Sequence, residues 1–192
     1  MRRNRITWVT LALMSAAMVV PAVPAQAAPA TSAVTQTTCP TGWGSLDKAR
    51  DASATAPVRN VRTGRHTCFD RMVIDVPGAG TGTGYWVRYV KQFQQDGSGR
   101  VIPVAGGAVI EVRVMAPSYD PNTGAPTYPA RPGRPLPGVD LTGYRTFRDA
   151  RFGGSFEGDT QIGLGVRARL PFRVLTLTDR VVVDVAHSWT GR

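Results

Sequence analysis

The stretch Asp70-Arg71-Met72-Val73-Ile74-Asp75-Val76 returns as Asp179-Arg180-Val181-Val182-Val183-Asp184-Val185, and five of the seven positions are identical. The two that differ exchange one apolar residue for another. In both copies apolar side chains (Met72, Ile74 and Val76; Val181, Val183 and Val185) alternate with Arg, Val and Asp, the period of a strand with one buried face. A helix would gather Arg71 and Asp75 on one side with Val73 opposite, and the density of β-branched residues argues against it. The pattern therefore predicts two equivalent strands in two halves of one β domain.

Outward from these strands the chain alternates between strands and turns. Tyr85 to Lys91 has period two, and Gln95-Asp96-Gly97-Ser98-Gly99-Arg100 holds an Asp-Gly pair suited to positive φ, so residues 85–104 are expected to form a hairpin. Ile110, Val112 and Val114 face one way, Glu111 and Arg113 the other. Seven prolines fall from Pro117 to Pro137, which excludes a central strand over 117–137 and predicts a long surface loop. Tyr144 to Phe152 resumes a strand. Ile162, Leu164, Val166, Ala168 and Leu170 give the cleanest alternation, with Arg167 and Arg169 on its outer side. Phe172 to Leu177 then leads through a Thr178-Asp179 turn into the second repeated strand. About eight short strands and no amphipathic helix predict an all-β fold, an antiparallel β-sandwich with a barrel as the alternative.

The chain begins Met1-Arg2-Arg3-Asn4-Arg5, continues with an apolar run from Ile6 to Val20, and reaches Ala25-Gln26-Ala27, the layout of a secretory signal peptide over residues 1–27. The run is too short to span a bilayer, and no second apolar run of about 20 residues follows, so a secreted product with no integral membrane segment is expected. Residues 28–38 are small and polar and predict a disordered leader, with the β domain over 39–192. Cys39 and Cys68 are the only cysteines. In an exported chain they read as one disulfide, with a pair of free thiols as the alternative. Such a bridge would stabilise the fold by about 3–4 kcal/mol on the chain-entropy model.

Removing residues 1–27 takes away three arginines and no carboxylate, so a formal charge of +10 becomes +7. Of the 23 basic residues only Lys48 and Lys91 are lysines. Arginine forks fit carboxylates and phosphates, which favours an anionic partner, although a base-composition bias of the source explains the same enrichment. Nucleic acid is not expected, because there is no recognition helix or stacking motif.

Catalytic sets are incomplete. His66 and His187 flank the repeated strands and could meet Asp75 or Asp184, but a third metal ligand and an HExxH pattern are missing, so no metal is expected. Gly153-Gly154-Ser155-Phe156-Glu157-Gly158 fails the GxSxG elbow and reads as a glycine turn. Gly80-Thr81-Gly82-Thr83-Gly84 is not followed by a helix that would present a phosphate site. Asp120-Pro121-Asn122-Thr123-Gly124 lacks the downstream glutamate of a calcium loop. Glu111 and Glu157 are the only glutamates. Trp43, Trp86 and Trp189 read as core or edge anchors, or as sugar platforms if exposed beside an arginine.

The Arg-hydrophobic-hydrophobic-x-Asp strands at 71–75 and 180–184 resemble those of the AMIN domain. The order of Cys39-Pro40-Thr41-Gly42-Trp43-Gly44-Ser45, Gly64-Arg65-His66-Thr67-Cys68-Phe69, Gly143-Tyr144-Arg145-Thr146-Phe147 and Val183-Asp184-Val185-Ala186-His187 is similar to AMIN-like secreted proteins of actinobacteria. The resemblance implies a β-sandwich of two related sheets and a noncatalytic, cofactor-free role in binding cell-envelope material, usually peptidoglycan. The expected partner is a cell-wall glycan or anionic envelope polymer. Arg71, Asp75, Arg180 and Asp184, with Arg88, Arg167 and Arg169, are the candidate binding side chains. A secreted binder of protein or small ligands through the Pro-rich loop, or a hydrolase using His66 or His187, are the competing functions.

Overall fold

The computed structural model describes residues 39–40 and 42–190; the expected signal peptide at 1–27 and leader at 28–38 lie outside the described residues. The strands are β1 (Lys48–Arg50), β2 (Asn60–Arg65), β3 (Phe69–Asp75), β4 (Gly84–Val90), β5 (Ala108–Met115), β6 (Phe147–Phe156), β7 (Asp159–Val166), β8 (Phe172–Leu177) and β9 (Arg180–Ala186). Antiparallel pairing assembles them into a five-stranded sheet, β1-β4-β5-β7-β6, and a four-stranded sheet, β2-β3-β9-β8. The described residues form an all-β fold that is not a closed barrel.

The repeated stretches are β3 and β9. They do not head separate halves: they lie side by side in the middle of the four-stranded sheet, with Arg71 opposite Asp184, Val73 opposite Val182 and Asp75 opposite Arg180. Antiparallel pairing explains this. A ribbon reading Arg-x-x-x-Asp is complementary to a reversed copy of itself, because each arginine then falls across from the other copy's aspartate. Inward, Met72, Ile74, Val76, Val181, Val183 and Val185 are all buried. They share one core with Ile110, Val112 and Val114 of β5 and Ile162, Leu164 and Val166 of β7.

The hairpin expected over 85–104 is corrected. β4 pairs with β5 (Ala108–Met115), and the segment between them folds back on the outer face of the five-stranded sheet. Its Gln95–Arg100 turn is present, closed by a bridge between Gln94 and Val101. The cause lies in the glycines of β6 and β7. Gly153, Gly163 and Gly165 leave a trough on that face, and Phe93 fills it at 2% exposure. A Cβ on Gly163 would stand 2.6 Å from a Phe93 ring carbon, and one on Gly165 would strike the Ala105 carbonyl oxygen.

Two further expectations shift. Gly153, Gly154 and Ser155 belong to β6 and not to a turn; the reversal is at Glu157-Gly158, both at positive φ (50° and 88°). Arg167 and Arg169 lie beyond the end of β7, in its connection to β8. The Pro-rich segment 117–137 is a loop as expected, and it has a structural task. Phe152 donates to the Arg134 carbonyl at 3.0 Å, and Gly133 and Leu136 donate to carbonyls of β6, so the loop covers that sheet edge. Cys39 and Cys68 form a disulfide, with Cα atoms 5.3 Å apart.

Gly163→Ala should destabilise the fold by about 1–3 kcal/mol through overpacking. The cost should shrink when Phe93 is replaced by Leu, a coupling that a double-mutant cycle in urea would read.

Candidate functional site: the outer face of the four-stranded sheet

Strand alternation turns Arg62, Arg71, Arg180 and Arg173 outward from β2, β3, β9 and β8, together with Asp75 and Asp184. Four guanidiniums against two carboxylates leave this face cationic.

One row across the sheet is Arg71, Asp184 and Arg173. Arg71 donates through Nε and Nη2 to the two oxygens of Asp184 at 2.6 and 2.8 Å, and Arg173 Nε donates to Asp184 Oδ2 at 2.8 Å. Asp184 is fully buried although it points away from the core. Aromatic rings roof the row: the Arg173 guanidinium lies 4.4 Å from the Trp43 ring, and that of Arg71 lies 5.2 Å from Phe69. The Asp184 hydrogen bonds hold the Arg71 guanidinium still more firmly protonated, against the opposing effect of its burial. Trp43 is brought near this roof by the disulfide, which ties its segment to the residue preceding Phe69.

The repeat predicts a matching pair between Arg180 and Asp75, and that pair is not made. Asp75 instead accepts Nε and Nη2 of Arg62 at 2.9 and 3.1 Å. Arg180 donates Nε to the Thr178 carbonyl at 3.1 Å. Between the two rows, Val73 and Val182 form an aliphatic floor under the long arginine stems. A groove of about 240 Å³ opens here, with Arg62, Arg71, Arg180, His66 and Leu177 around it.

The first aspartate of each repeat does different work from the second. Asp70 faces inward, fully buried, and its Oδ2 accepts the Thr146 and Phe147 amides at 2.6 and 3.0 Å, fastening β3 to the start of β6. Asp179 accepts the Gly78 and Gly80 amides at 3.1 and 2.8 Å. His187 is buried beside Asp70. Its Nδ1 lies 2.8 Å from the Thr146 hydroxyl and its Nε2 lies 3.0 Å from the His66 carbonyl, so Nε2 carries a proton. The two histidines thus meet ring to backbone, and His66 itself stacks on Phe69 at 4.5 Å.

The seven sequence-predicted side chains fall on three surfaces. Arg71, Asp75, Arg180 and Asp184 share the face just described. Arg88 lies on the other sheet, stacked 3.8 Å from Trp86 and donating to Glu111 at 2.9 Å. Arg167 donates to the His187 carbonyl. Arg169 donates to Ser45 and lies over Tyr89, whose phenol is pushed up to about 12 by burial and bonds the Leu170 carbonyl. Trp189 is exposed, with its indole N–H donated to the Arg169 carbonyl. Arg62, Arg173 and the Trp43 roof were not among the expected site residues.

Asp184→Ala should cost about 3 kcal/mol, because two guanidiniums lose a desolvated partner. Asp75→Ala, at the part-exposed equivalent, should cost only about 0.2–1 kcal/mol; chemical denaturation measures both. A second check uses pH. Burial pushes the Glu111 carboxyl up, but the Gln161 amide and the guanidiniums of Arg88 and Arg113 outweigh it and hold the carboxyl below its ordinary 4.5. A lowered folded-state pKa contributes stability above the unfolded value and loses it as pH falls through the folded one. The stability gap between the unsubstituted protein and Glu111→Gln should therefore narrow as the pH drops below 4.5.

Comparison with known proteins gives one family. The model of the AMIN-like domain matches residues 56–187, from the segment ahead of β2 to the end of β9. No curated protein and no solved structure matches significantly. With both repeated strands and every strand except β1 inside the matched span, the chain belongs to the AMIN-like domain family.

Proposed function

We infer that this chain is an exported, noncatalytic module that holds on to peptidoglycan, or to an anionic polymer attached to it, through the outer face of its four-stranded sheet. The carrying observation is the inequality of the two faces. On the five-stranded sheet, residues from Phe93 to Ala105 fill the glycine trough, and Glu111 is enclosed by Arg88, Arg113 and Gln161. On the four-stranded sheet the groove is open, and arginines outnumber aspartates two to one.

Family membership supports the same reading, since AMIN-like domains are generally of the peptidoglycan-binding type. Export is supported by the signal-like start of the chain and by the disulfide, which persists in oxidising surroundings. In this reading Arg62, Arg71, Arg173 and Arg180 supply the charge, and Asp75 and Asp184 hold the arginines in place. The Pro-rich loop serves as edge cover for β6, with Tyr128 and Leu136 buried beneath it.

The test is cosedimentation of the secreted protein with purified wall sacculi. Retention at low salt is expected, weakening as ionic strength shortens the screening length, and Arg62→Ala with Arg180→Ala should reduce it several-fold. Absence of retention at low salt would sink the reading.

A further inference from the structure

We propose that the groove beside Arg180 is a carboxylate subsite, taking the C-terminus of a short peptide whose last side chain is small and apolar. The proposal rests on the sheet face being the binding surface, and it starts from the broken symmetry of the repeat.

Arg71 and Arg180 occupy equivalent positions, each opposite an aspartate of the other strand. Arg71 closes its fork on that aspartate. Arg180 does not, because Arg62 has taken Asp75, with the Asn60 amide adding a third bond at 3.3 Å. The Arg180 side chain is nevertheless steadied by its Nε bond to Thr178, and its two terminal nitrogens have no hydrogen-bond partner among the described residues. A planar guanidinium held at Nε and open at its outer nitrogens is arranged to receive a planar two-oxygen anion.

Charge sets the valence of the ligand. Arg71 and Arg173 share Asp184 and Arg62 holds Asp75, so of the four guanidiniums on this face Arg180 alone has no carboxylate partner among the described residues. One open fork beside an aliphatic floor suits a single carboxylate that carries an apolar group better than a fully hydrated phosphate. Size and polarity set the rest. At about 240 Å³ the groove is smaller than the roughly 300–1,000 Å³ typical for a drug-sized ligand. Its floor is Val73 and Val182, and its wall includes Leu177 at 44% exposure, so a methyl-sized group next to the carboxylate would be covered on two sides. Gly64 keeps the far side open. A Cβ there would meet only His66 Nε2, at 3.7 Å, so a larger residue can be placed in the groove without backbone strain.

The experiment titrates the secreted protein with N-acetyl-alanyl-alanine, with its C-terminal amide, and with inorganic phosphate, following backbone amide shifts by NMR, alongside sacculus cosedimentation. The acid should shift the Val73, Val182 and Leu177 amides, and the amide derivative and phosphate should bind at least about tenfold more weakly. Arg180→Ala and Gly64→Val should each weaken the acid by a similar factor, while Arg148→Ala, on another surface, should not. Equal binding of acid and amide, phosphate binding as tight as the acid, an unaffected Arg180→Ala variant, or no shift with the acid would each overturn the subsite. Sacculus retention without acid selectivity would remove the subsite and leave the wall-binding reading. Acid selectivity without retention would do the reverse.

Discussion

The antiparallel meeting of two Arg-x-x-x-Asp ribbons is the constraint from which the rest of the molecule follows. Its centre is the Val73–Val182 pair, and Arg71 on Asp184 is its tightest contact. A slip of one residue between β3 and β9 would turn the buried valines outward and set Arg71 against an aliphatic neighbour. Hydrophobic burial on one face and charge opposition on the other therefore select the same register. Because these two strands are the middle of the four-stranded sheet, β2 and β8 are placed by them, and so are the arginines those edge strands carry.

Identical residues in the two copies end in unlike surroundings, and the neighbours decide which. Asp184 has an arginine from each flanking strand and an aromatic roof, so it is sealed off from water. Asp75 lies at the other end of the ribbon, has Arg62 beside it, and stays part-exposed. The face thereby combines one closed arginine–aspartate cluster, which stiffens it, with one arginine, Arg180, that has no carboxylate partner among the described residues. Loss of symmetry is what separates a closed half of this surface from an open one.

Much of this was legible in the residues. Period-two alternation marks β3, β4, β5, β7 and β9, and the Thr178-Asp179 turn joins β8 to β9 as expected; Leu177 then pairs with Arg180, and counting outward places Arg173 opposite Asp184. That contact was available from hairpin arithmetic. The adjacency of β3 and β9 was not, since it is a long-range pairing and repetition alone does not say whether two like strands share a sheet. Nor was the fold-back after β4. Its cause, a phenylalanine seated on glycines of two later strands, appears only when β6 and β7 are side by side. In sequence Gly153 reads as part of a glycine turn, and nothing beside Gly163 names the ring that lies over it.

The covalent link between Cys39 and Cys68 reaches further than the loop it closes. Trp43 follows Cys39 closely and supplies the ring above Arg173, while Phe69, the next residue after Cys68, supplies the ring above Arg71. Sulfur oxidation and the sealing of Asp184 are thus mechanically joined. A reduced chain would lack the tether that keeps its indole lid in position, so the cationic surface acquires its finished shape only where thiols are allowed to pair.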